Sequence, residues 1–253
     1  MTTKNKSVTK IEYGDYQTPI SFALSVCVKL KDQYDLSPTV IFEPTFGIGN
    51  FIESALTAFE SVQMVYGVEV ENNYYTLTKE KLLSKGFSDI LSLYNDDIFS
   101  FDFSNIKKSI SKEDSILIIG NPPWATNAQL SSMNSCNLPL KDNFKGYSGL
   151  DAITGKANFD ITEYILLQLL SEFSDYNCTL AMLCKTIVAK NIIRDINKYN
   201  FSIDTADLYL FDANEVFSVN CDAALFVVKI GKNNSTVCSV YDYYTNIKNR
   251  QFG

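Results

Sequence analysis

Asn121, Pro122, Pro123 and Trp124 are the residues of this chain whose types and order most directly imply chemistry. An Asn amide oxygen and the carbonyl of Pro122 can each accept a hydrogen bond from one exocyclic amine, while the indole offers a flat face to a heteroaromatic ring. An amine of that kind is a poor nucleophile, because its lone pair is delocalised into the ring. Two acceptors holding its two hydrogens favour a pyramidal nitrogen, on which the lone pair is available for attack. No strong general base is then required beforehand, since the proton can leave afterwards, and the 253 residues include no histidine. As structure alone, the same four residues are a strand end with a packed indole.

The run before them, Ser115 to Gly120, is rich in β-branched residues and reads as a central parallel strand. Two successive prolines end it abruptly, so it delivers Asn121 to the carboxyl edge of a sheet, where open α/β sheets bind ligands. Upstream, strand 39–44 runs into Glu43, Pro44, the glycines Gly47 and Gly49, and a helix over 50–59 that opens near Phe51. Glycines at a strand–turn–helix junction allow positive φ and let a ligand approach the backbone closely. Strand 64–70 carries Glu69 near its end, where a carboxylate can accept both hydroxyls of a ribose. After strand 90–94, Asp97 could accept from an adenine amine, with Ile98 and Phe99 packed on the ring. Singly, each acid reads as a helix cap or solvated turn; three at successive strand ends read as a nucleoside site.

Further strands at 178–184, 205–211 and 222–230, with a helix after strand 64–70 to about 85 and helices at 160–173 and 187–199, complete a pattern of alternating units. The expectation is an α/β fold, a Rossmann-like, mostly parallel sheet of seven strands with helices on both faces. Hydrophobic content of 46% is ample for its core. Six cysteines lack any C-x-x-C pair and residues 1–10 lack an apolar leader, which points to a reduced, cytoplasmic protein. No apolar run is long enough to span a membrane, and no metal is expected. A net charge of −7 argues against a chain that coats nucleic acid unaided, although 22 Lys and Arg leave room for a local basic groove. Segment 125–158 is too long for an ordinary connection and is the candidate DNA-facing loop, with Lys141, Lys145 and Lys156 as phosphate contacts. A solvated loop with incidental lysines is the plainer alternative.

Together these pieces resemble the S-adenosylmethionine-dependent DNA N6-adenine methyltransferases of restriction-modification systems, in the arrangement where cofactor motifs precede the catalytic one. The likeness runs from Tyr13 to about Ile230. It implies that Tyr13 to Pro19 caps the methionine end of the cofactor, with Thr18 on its carboxylate. It further implies that Glu43 to Phe51 is the cofactor loop, that Glu69 takes the ribose, that Asp97 with Ile98 takes the adenine, and that Asn121 to Trp124 is the catalytic tetrapeptide, with Asn121 also bordering the cofactor. Phe217, in Glu215-Val216-Phe217, is similar to the aromatic residue that stacks with Trp124 on the extruded base. Phe46 is bulkier than the small residues such a loop often carries. Family members generally have a target-recognition domain. The expectation here is a catalytic domain over 1–235 and a short extension over 236–253, without a full recognition domain. Double-stranded DNA is the expected partner, together with a separate specificity subunit or missing domain. Alternatives are a methyltransferase for an RNA base or protein glutamine, or a partner-dependent module.

Overall fold

The computed structural model describes residues 16–125 and 160–253. The chain enters through α1 (Ile20–Tyr34), β1 (Val40–Glu43), α2 (Asn50–Ala58), β2 (Met64–Val68), α3 (Asn72–Ser84) and β3 (Leu91–Tyr94). It continues through the short α4 (Ser104–Ser109) into β4 (Ile116–Gly120). Beyond residue 159 come α5 (Ile161–Glu172), β5 (Cys178–Lys185), α6 (Thr186–Asp195), β6 (Ile203–Asp212), α7 (Ala213–Phe217) and β7 (Asp222–Ile230). Strands β8 (Cys238–Asp242) and β9 (Lys248–Phe252) follow.

The strands form one sheet in the order β3-β2-β1-β4-β5-β7-β6-β8-β9. From β3 to β5 all neighbours are parallel, whereas β7 runs antiparallel to both β5 and β6. Strand β8 is parallel to β6, and β9 is antiparallel to β8. The fold is therefore the expected α/β class with a mostly parallel sheet, but with nine strands among the described residues rather than seven. The two additional strands come from residues expected to be a short extension. Strand β8 lies within the apolar-rich run Val237 to Tyr244, but β9, Lys-Asn-Arg-Gln-Phe, is an exposed edge strand with a single large apolar side chain. Polar edges are how sheets avoid pairing with other chains, and they erase the alternation that marks a strand in sequence.

Alternation along the central strands divides the core into two layers. Val40, Phe42, Ile116 and Ile118 face one side with α5 and α6, and Ile41, Leu117 and Ile119 face the other with α1 and α2. Helix α1 was not anticipated, although Phe22, Ala23, Val26, Cys27 and Leu30 repeat at helical spacing and are all buried. Helix α6 ends at Asp195, four residues before the expected 199. Strands β2 and β4 flank β1, so the chain reverses its direction of winding between β1 and β4, the switch point at whose carboxyl edge open α/β sheets bind ligands.

Candidate active site

Three of the acids stand where the strands stop. Glu43 is the last residue of β1 and is 2% exposed. Its Oε2 accepts from the amide of Ile52 at 3.1 Å, tying the strand end to the first turn of α2. Burial, opposed by that amide and reinforced by Glu69, holds its carboxyl well above the usual range. Gly120, beside it at the end of β4, has room for no more than an ordinary contact: an added Cβ would meet Cγ of Glu43 at 3.4 Å. Glu43 thus joins β1, α2 and the residue before Asn121.

Residues 44–49 turn tightly. Gly47 and Gly49 have φ of +51° and +71°, the left-handed region that penalises any side chain. Gly49 is the residue before α2, and a Cβ there would stand 2.4 Å from Cγ2 of Thr78 on α3. Thr78 also donates its hydroxyl to the Gly47 carbonyl at 2.9 Å. The bulk of Phe46 points away from the crevice, 2% exposed and lying on Gly67 of β2, where a Cβ would meet its Cδ1 at 2.7 Å. The glycine on the strand thereby accommodates the phenyl ring on the loop.

Glu69 follows β2 and is 8% exposed. Its Oε2 accepts from the Gly47 amide and its Oε1 from the Glu71 amide, each at 2.8 Å. Asp97 accepts from the Phe99 amide at 3.0 Å, and burial raises its carboxyl above the ordinary value. Ile98 is buried beneath it.

The amino-terminal segment closes over this loop. Asn50 Nδ2 donates to the Thr18 carbonyl at 2.8 Å, and Gln17 Oε1 accepts from the Ile48 amide at 3.1 Å. Pro19 begins α1, its carbonyl accepting from Phe22 and Ala23. The same segment reaches Asn121, whose Nδ2 donates to the Tyr16 carbonyl at 2.8 Å. That bond fixes which end of the amide is which. The other end, Oδ1, is buried and has no partner among the described residues.

Four buried side-chain atoms lack partners among the described residues, and three belong to this edge: Thr18 Oγ1, Thr45 Oγ1 and Asn121 Oδ1. Buried polar atoms are nearly always paired, and leaving one unmet costs roughly 1–3 kcal/mol. Thr45 was not singled out in the sequence; a hydroxyl inside a glycine turn carries no signal until its surroundings are known.

Pro123 and Trp124 are held from other elements. Thr162 Oγ1 donates to the Pro123 carbonyl at 2.8 Å, and Trp124 Nε1 reaches the Leu183 carbonyl at 3.4 Å. Trp124 is 5% exposed. Its ring meets Phe217 edge-on with centroids 5.2 Å apart, and Tyr16 lies 5.9 Å from Trp124 and 6.3 Å from Phe217. The flat face expected to be open is therefore covered by two aromatic neighbours, of which Tyr16 was not expected. Phe217 arrives from α7, which follows the carboxyl end of β6. Thr18, Glu43, Pro44, Gly47, Gly49, Phe51, Glu69, Asp97, Asn121, Pro122, Trp124 and Phe217 thus gather along one sheet edge. Lys141, Lys145 and Lys156 lie outside the described residues, as does nearly all of segment 125–158. Among the described residues there is no grouping of metal ligands and no helix long and apolar enough to cross a membrane.

No family model matches the chain. It is 42% identical over 252 residues to the Type II methyltransferase M.NspV of Nostoc sp., a match that covers 98% of this chain and 51% of that protein. The chain spans about half the length of this curated relative. The fold is similar to that of a type I restriction-modification system methyltransferase subunit from Streptococcus thermophilus, with a TM-score of 0.59 and 16% identity over 90% of this chain and 46% of the other. It is also similar to a putative RNA methyltransferase from Pyrococcus horikoshii, with a TM-score of 0.55 and 14% identity over 87% and 89% of the two chains.

Proposed function

We propose that this chain, a relative of the Type II methyltransferases along nearly its whole length, is the catalytic module of a site-specific DNA methyltransferase. It transfers a methyl group from S-adenosylmethionine to N6 of an adenine extruded from duplex DNA, as the modification part of a restriction-modification system. The observation that carries the reading is the amide of Asn121. Its nitrogen is tied to the Tyr16 carbonyl and its oxygen is buried without a partner among the described residues. A group held in that way is an acceptor waiting for a donor, and an aromatic amine is such a donor.

The remaining residues fit the cofactor. Thr18 and Thr45 offer buried hydroxyls, without partners among the described residues, where the glycine turn meets the amino-terminal segment, as a carboxylate or ammonium group requires. Glu69 sets a carboxylate at the end of β2, where it could accept ribose hydroxyls beside a loop that already donates to it, and Asp97 offers an acceptor for an adenine amine. S-adenosylmethionine, when bound, supplies an electrophilic methyl group on a sulfonium. Asn121 Oδ1 and the Pro122 carbonyl would each take one hydrogen of the target amine and orient its lone pair. Extrusion of the base costs a few kcal/mol of pairing and stacking, and contact with Trp124 and Phe217 returns part of it. Alignment of the amine with the methyl group then supplies most of the acceleration.

A second reading has an observation of its own. A net charge of −7 opposes phosphate binding by this chain alone, which favours a module that relies on a separate specificity subunit or domain to engage DNA. One assay separates the two: tritium transfer from labelled S-adenosylmethionine to mixed-sequence duplex DNA, with nucleoside digestion to identify the product. Label in N6-methyladenine supports the autonomous enzyme. Cofactor binding without transfer supports the dependent module, and label in any other base, or in RNA alone, overturns the adenine assignment.

A further inference from the structure

Helix α5 touches both halves of the site. At its start, Asp160 Oδ1 caps the helix through the Thr162 amide at 2.9 Å, while Asp160 Oδ2 receives Lys185 Nζ at 3.0 Å from the end of β5. The Ile161 amide donates to the Ala125 carbonyl at 2.9 Å and Thr162 Oγ1 to the Pro123 carbonyl at 2.8 Å, so the first turn grips the catalytic tetrapeptide from behind. Farther along, the Tyr164 ring meets Phe99 edge-on at 5.1 Å, and one turn later Gln168 Nε2 donates to the Ile98 carbonyl at 3.2 Å. Gln168 is 8% exposed, and reversing its amide would set its oxygen against that carbonyl, so its orientation is fixed. Residues 97–99 follow β3 and Asn121 follows β4, with β2 and β1 between them in the sheet. Three strand spacings are about 14 Å, and the six residues from 162 to 168 rise about 9 Å along a helix.

We infer that α5 is a rigid bar that sets the catalytic tetrapeptide relative to the loop that receives the cofactor's adenine, with Thr162 and Gln168 as positioning residues at its two ends. The inference rests on the cofactor reading above and deepens it. A movement of the Asp97–Phe99 loop on adenine docking is carried through Gln168 and Tyr164 to the Pro123 carbonyl, and the reverse holds by linkage. Binding of the nucleoside and presentation of the Asn121 acceptor are thereby one event.

The test is calorimetric binding of S-adenosylhomocysteine, and of its counterpart with hypoxanthine in place of adenine, to the parent chain, Thr162→Val, Thr162→Ser and Val240→Ala. Valine keeps the shape of Thr162 but removes the donor to Pro123, on the catalytic side of the bar. The expected result is a loss of affinity of about fivefold or more in Thr162→Val, with a reduced preference for adenine over hypoxanthine. The serine variant should bind like the parent. Val240→Ala, a truncation in β8 remote from the site, should lose stability but not affinity or preference. Unchanged affinity and preference in a folded Thr162→Val overturns the coupling. Should that variant not fold, Gln168→Met supplies the reciprocal test: the coupling requires a slower methyl transfer at saturating cofactor, and an unchanged rate overturns it. A parent chain that fails to bind S-adenosylhomocysteine at all sinks the cofactor reading itself, which is a different outcome from a parent that binds and variants that do not differ.

Discussion

At the scale of single residues, the site is built from side chains that lack partners and others whose partners are already committed. Asn121 belongs to both kinds, with its nitrogen held and its oxygen waiting. Asn121→Ala should therefore abolish methyl transfer while S-adenosylhomocysteine affinity, measured by calorimetry, stays within about twofold of the parent, because the proposed function sets the lost acceptor on the target amine. Collapse of cofactor binding would place the residue elsewhere. Glu43 ties β1 to α2 through the Ile52 amide. Its carboxyl is raised by burial, so the folded protein holds a proton that the unfolded chain releases near the ordinary value of 4.5. The folded state then binds more protons than the unfolded state above that pH. The Glu43 contribution is full below it and is lost progressively as the pH rises toward the folded value, by at most about 1.4 kcal/mol per pH unit. Glu43→Gln keeps an acceptor for the Ile52 amide without the charge. Thermal unfolding from pH 4 to 8 should show the variant gaining on the parent as pH rises, and parallel curves would mean that Glu43 titrates normally.

At the scale of elements, the glycine turn shows what the sequence made legible and what it withheld. Two glycines between a strand and a helix announced a tight turn, and both φ values are positive. The identity of the neighbour that forbids a side chain could not be read, because Thr78 is nearly thirty residues away on α3 and bears no motif. Gly49→Ala should cost about 2 kcal/mol from backbone conformation and crowding together. Pairing it with Thr78→Ser, which removes the crowding methyl group, should return part of that loss in chemical denaturation; no recovery would assign the whole cost to the backbone. The central strands were legible because parallel strands buried on both faces are continuous apolar runs. Helix α1 carried an equally clear helical repeat, but it follows a motif read for its ligand contacts and not for its periodicity. Strand β9 had no periodicity to read.

At the scale of the molecule, the sheet is one continuous layer from β3 to β9. The turn between β8 and β9 is fastened to α1, where Tyr243, 4% exposed, shares a 2.7 Å hydrogen bond with Ser25 Oγ and packs its ring on Phe22 at 5.2 Å. Lys29 Nζ lies 4.7 Å from the centre of the same ring. Tyr243→Ala should lower the unfolding free energy by about 3 kcal/mol, with a single transition whose urea dependence matches that of the parent. A second, earlier transition would show that the last hairpin unfolds as a separate unit. The ends of widely separated strands meeting at one edge follow from topology, and topology brings Tyr16 and Phe217 against Trp124 across two hundred positions of sequence. That meeting was anticipated for Phe217 only through resemblance, and for Tyr16 not at all.

Trp124 is the one tryptophan in the chain. It is 5% exposed, its indole nitrogen is directed at a backbone carbonyl, and its ring is in contact with Phe217 and Tyr16. Red-edge excited fluorescence of the whole protein consequently comes from the carboxyl edge of the sheet, at the end of β4. The emission of the unmodified chain, its colour and its quenching by iodide or acrylamide, is a built-in optical record of whether that aromatic cluster is closed or parted.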